Sequence, residues 1–82
     1  MTYEKLKKIE KSEIIVKRLF NVRQVRVRDH GDVARIEVGR EEITKLFDVD
    51  KLGILDIKLK KLGFKFVSID ARGYLTGNLV TI

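Results

Sequence analysis

No cysteine, proline or tryptophan occurs anywhere in these 82 residues, and histidine appears once, as His30. Without cysteine there is no disulfide, no thiolate metal site and no cysteine nucleophile. One histidine removes most imidazole metal sites and acid–base pairs. Catalytic residues, a metal site and a cofactor are therefore not expected. Aromatic residues make up only 7% of the chain, and no nucleic-acid-binding motif stands out. No apolar run approaches the roughly 20 residues of a membrane span, and no signal-peptide pattern opens the chain. The expectation is a cytoplasmic protein with no membrane partner.

What is present suits one small domain over residues 1–82, near the lower size limit for a single hydrophobic core. The apolar fraction of 44% is ordinary for a folded chain. A net charge of +6 permits anionic partners without requiring them. The cations are unevenly placed. Five of the seven arginines lie between Arg23 and Arg40, and none of the eleven lysines does. Arginine offers a planar fork to carboxylate or phosphate, whereas lysine is a hydrated point charge. This segregation points to an acceptor near the arginine-bearing segment.

Helical spacing predicts a first helix over Thr2 to Phe20, with Thr2 as N-cap and an apolar stripe of Leu6, Ile9, Val16 and Leu19 or Phe20. Glu13 falls inside that stripe, so it lies at the margin or is held by a cation from another element. Alternation of apolar and charged residues predicts strands at 24–29 and 33–38, joined at Gly31. A His30-Gly31 loop would pair Val25 with Ile36 and Val27 with Ala34, and would set Arg26 against Arg35. Like charges opposed across a ladder need an acid or anion between them, and Glu37 would lie diagonally beside Arg26. A short helix is expected at Glu41–Phe47. A longer one follows, capped by Asp48 or Asp50, running to about Leu62 and stopped by Gly63. Phe64 to Asp70 completes the sheet, with Val67 and Ile69 toward the helices. The tail from Arg72 suits a loop and a short strand.

The fold class is α+β, in the order α-β-β-α-α-β. A small antiparallel three-stranded sheet carries its helices on one face. The opposite face holds Arg26, Arg28, Arg35, Glu37, Phe66, Ser68 and Asp70. A polar outer face is ordinary for such a sheet. Crowded arginines beside an aromatic ring make this one the place to look for a contact.

The run Val25-Arg-Val-Arg-Asp-His-Gly-Asp-Val-Ala-Arg-Ile-Glu-Val38 closely resembles a signature of the ATP-dependent sacrificial sulfur transferases. Those are pyrophosphatase-loop enzymes that build the nickel-pincer cofactor of lactate racemase. The likeness continues through Leu62-Gly-Phe-Lys-Phe-Val-Ser-Ile-Asp70 and Gly73-Tyr74, and upstream through Glu4-Lys-Leu-Lys-Lys-Ile-Glu-Lys-Ser-Glu13. It corresponds to that family's C-terminal domain. The family's ATP-binding loop and sulfur-donating cysteine have no counterpart in these residues, so its activity is not expected of this chain alone. What the resemblance implies is a role near substrate or phosphate for Arg26 and Arg28. It places Glu37 near the same site, and Glu13 too if one residue is inserted before the strand. In the tail, Leu75 stands where the family has arginine, and Asn78 where serine is usual.

The expected function is thus a stand-alone, non-catalytic module that assembles with itself or with a separate pyrophosphatase-loop subunit through the arginine-rich face. Arg26, Arg28, Arg35, Glu37, Glu13 and Asp70 are the candidate contact residues. The alternative is a domain that binds a phosphate-containing small molecule or nucleotide, with arginine forks as the clamp. Nucleic-acid binding is less favoured, resting on net charge alone.

Overall fold

The computed structural model describes residues 2–74. Helix α1 spans Tyr3–Phe20. Thr2 opens it as the spacing predicts, its hydroxyl oxygen accepting the Lys5 N–H at 3.2 Å. Asn21, in left-handed backbone at φ 55°, closes it, a conformation asparagine tolerates better than most residues. Strands β1 (Val25–His30) and β2 (Val33–Val38) form the hairpin. A 3-10 helix follows at Arg40–Leu46, then α2 at Val49–Lys61 and β3 at Phe66–Ile69. Of the two candidate caps for α2, Asp48 is the one used: its carboxylate accepts the Lys51 N–H at 3.1 Å. The tail beyond Tyr74, including Leu75 and Asn78, lies outside the described residues.

The class is α+β with helices against the sheet, as expected. The sheet order is β1-β2-β3, antiparallel between β1 and β2 but parallel between β2 and β3. It is therefore mixed, and the expectation of a wholly antiparallel sheet is corrected. The connection from Gly39 to Lys65 carries the 3-10 helix and α2, long enough to bring the chain back in the same direction.

The hairpin register also differs from the expected one. His30 pairs with Val33, which makes Gly31-Asp32 the two-residue loop. Gly31 has φ +75°, and the Asp29 carboxylate accepts its N–H at 2.8 Å. Positive φ at the first loop residue suits a hairpin turn that follows the sheet's twist. Val27 thus faces Ile36 and Val25 faces Val38, two positions from the expected partners. A shift of two leaves every side chain on its face. It does change the charge pairs: Arg28, not Arg26, stands opposite Arg35, and Arg26 stands opposite Glu37.

The core lies between the sheet and the two α-helices. Val16 and Phe20 of α1 and Leu55 and Leu59 of α2 pack on Val25, Val27, Ala34, Ile36 and Val38. Val67 and Ile69 are partly buried against the same cluster. Burying these side chains is the main stabilising term for so small a fold.

Candidate functional site

Glu37 is the centre of the outer sheet face. It is only 7% exposed, although it projects from the side opposite the core. One carboxylate oxygen accepts from Arg28 Nε at 3.3 Å, and the other accepts from Arg35 Nη2 at 2.9 Å. The two arginines face each other across the ladder, so the acid stands between cations that would otherwise repel. Asp70 adds a looser contact, 3.7 Å from Arg35 Nε. That separation is electrostatic contact without a hydrogen bond, and the buried Nε has no other partner among the described residues.

A tight turn at the end of β3 frames this cluster. Asp70 carboxylate accepts the Arg72 N–H at 2.9 Å, and Tyr74 N–H donates to the Val38 carbonyl. Gly73 sits at φ +83°, where a Cβ would lie 2.8 Å from both the Val38 carbonyl oxygen and Ile43 Cδ1. Only glycine fits without moving backbone. The turn brings the Tyr74 ring to the sheet, with the Arg26 guanidinium 5.3 Å from its centroid. Arg26 therefore leans on an aromatic face and leaves Glu37 to its neighbours.

Two adjoining depressions result. One, of about 350 Å³, is lined by Arg28, Arg35, Glu37, Asp70, Arg72 and Tyr74. The other, of about 460 Å³, follows the open edge of β1 and is lined by Arg26, Arg28, Glu13, Asp29, His30 and apolar residues of α1. Arg28 borders both. All six candidate residues thus lie along a continuous stretch of surface, but as two groups and not one.

Glu13 is half-buried at the margin of its stripe, the first of its two expected descriptions, and no cation holds it among the described residues. Its carboxylate accepts the Val27 N–H at 3.1 Å. β1 is an edge strand, and this bond occupies one of its outward backbone donors. Sequence reasoning missed Glu42, which is buried and accepts the N–H groups of Arg23 and Gln24 at 2.9 and 3.3 Å. The Arg23 N–H holds its carboxyl below the usual carboxylate range, against the opposing effect of burial. Locally Glu42 shows only an i,i+3 pairing with Lys45 at 3.3 Å, whereas its backbone partners lie 18 and 19 residues earlier. Tyr74 and Arg72 were noticed only as parts of a motif and a tail.

Among the described residues, no three His, Asp or Glu side chains are placed to hold one metal ion. No helix there is long and apolar enough to cross a membrane.

No family model matches the chain. The chain is similar to the uncharacterized protein slr1717 of Synechocystis sp., with 38% identity over 79 residues. That alignment covers 96% of this chain and 29% of the relative. The chain spans less than a third of the relative's length.

Proposed function

We propose that this chain is a non-catalytic module similar to the C-terminal domain of a pyrophosphatase-loop sulfur transferase. It assembles with further copies of itself or with a separate ATP-binding subunit through the arginine-bearing sheet face. The observation that carries this reading is the unequal commitment of the arginines around Glu37. Arg35 gives a terminal nitrogen to the acid, whereas Arg28 contacts it only through Nε. The Arg28 terminal nitrogens remain a fork for an outside carboxylate or phosphate. Arg26, one pair along, has no acid within salt-bridge distance among the described residues. A chain matching less than a third of its relative also fits one part of a larger machine.

The second reading, a phosphate- or nucleotide-binding domain, draws on the same free nitrogens and on the groove beside them. The two readings separate in solution. Light scattering after size exclusion, on wild type and Arg28→Glu, tests assembly. A separate ATP-binding subunit is tested by co-purification with each form. Loss of either complex on charge reversal supports the module reading. Amide shifts at the hairpin on adding AMP or pyrophosphate, with a monomer throughout, favour the second. A strict monomer that recruits no such subunit and shows no shifts removes both.

A further inference from the structure

A different surface, on the helical layer, carries an arrangement that the proposed function does not use. The outward groove between α1 and α2 has a volume of about 280 Å³ and is lined by Ile14, Ile15, Arg18, Leu19 and Lys58. Ile14 in that lining is 48% exposed, and Ile54 and Ile57 of α2 are exposed by 43% and 58%. Helical spacing sets Lys11 and Arg18 on the same face as Ile14, and Lys58 and Lys61 on the same face as Ile54. Each helix therefore presents isoleucine between or beside two cations.

None of Lys11, Arg18, Lys58 and Lys61 has a carboxylate within salt-bridge distance among the described residues. No acid among the described residues lines this groove. Glu10 and Glu13 line the groove on the other side of α1, and Asp56 pairs with Lys60 at 3.0 Å. The result is a concave apolar strip with two cations in its lining, Arg18 and Lys58, neither in a salt bridge among the described residues.

We infer that this groove docks an acidic amphipathic helix of a partner protein. The partner's apolar stripe would fill the channel over Ile15 and Leu19, and its flanking carboxylates would meet Arg18 and Lys58. A second copy of this chain fits poorly, because like cations would meet across the interface. A bilayer fits poorly too. The apolar groups line a recess and include no aromatic side chain of the kind that anchors at a membrane interface.

The test uses the whole chain, isotope-labelled, and a synthetic helical peptide with leucine on one face and glutamate on the flanks. Amide shifts confined to α1 and α2 around Ile14, Arg18 and Lys58 are expected, with binding that weakens as salt rises. A peptide with lysine in place of glutamate should not bind. Lys58→Glu should weaken the glutamate peptide roughly tenfold, the scale of losing a contact at an interface hot spot. Lys58 is exposed, so that variant should fold; Ile14→Asp is the apolar counterpart, checked by circular dichroism. Equal binding of both peptides, or shifts elsewhere, would overturn the inference. So would attachment to phosphatidylserine vesicles without peptide binding, or a dimer that Ile14→Asp dissociates. Because the arginine face is on the sheet, these outcomes do not depend on its function.

Discussion

The two faces of β2 are made from alternate residues of one short strand, yet they hold together by different means. Toward the helices, Ala34, Ile36 and Val38 are buried in an apolar cluster. Toward the outside, Arg35 and Glu37 belong to an ionic group whose cations, Arg28 and Arg35, have side chains 45% and 40% exposed. Burial on the first face is non-directional and tolerates no substitute for volume. Pairing on the second depends on which cation the register sets beside the acid. One face therefore fixes the fold, and the other is free to carry contacts.

Core truncation should have the largest effect. Ile36→Ala removes a fully buried side chain, and should cost about 2–5 kcal/mol in chemical denaturation, the usual range for such cavities. A loss under about 1 kcal/mol would mean that the sheet does not depend on this layer. Less is at stake outside. Glu37→Ala leaves Arg28 and Arg35 facing each other without an acid and should cost about 1–2 kcal/mol, after allowing for solvent around the arginines. Adding Arg35→Ala to that variant should recover part of the loss. Further destabilisation in the double variant would show that the ladder arginines do not repel.

The smallest effect concerns pH. Glu42 has a depressed carboxyl pKa in the folded chain. Its contribution is fully present above the unfolded carboxylate value and is lost as pH falls through the folded one. Denaturant midpoints for wild type should decline across that acidic window more steeply than for Glu42→Gln. Parallel declines would deny Glu42 any part in acid stability.

The outer face shows how far residue pattern reaches. Period-two alternation placed Arg26, Arg28, Arg35 and Glu37 on one side and Val25, Val27, Ala34 and Ile36 on the other, and both placements hold. The same alternation could not choose between registers two residues apart, since each satisfies it equally. What decided was the turn: Gly31 takes the positive φ as the first loop residue, with His30 still paired in the ladder. Arg26 consequently lost its expected opposition to Arg35 and found the Tyr74 ring. Asp70 was placed correctly, although its contact with Arg35 is longer than a hydrogen bond.

By itself the sequence determined the order of elements, the Thr2 cap of α1 and the side of the sheet each strand residue takes. Those depend on neighbours within a few positions, where spacing and backbone preference suffice. Tertiary structure alone decided that β3 runs parallel to β2, that Glu13 serves the edge strand and that Glu42 gathers two distant N–H groups. Each of these rests on parts of the chain that are far apart until the core closes, and a buried polar atom takes whichever partner then lies within reach.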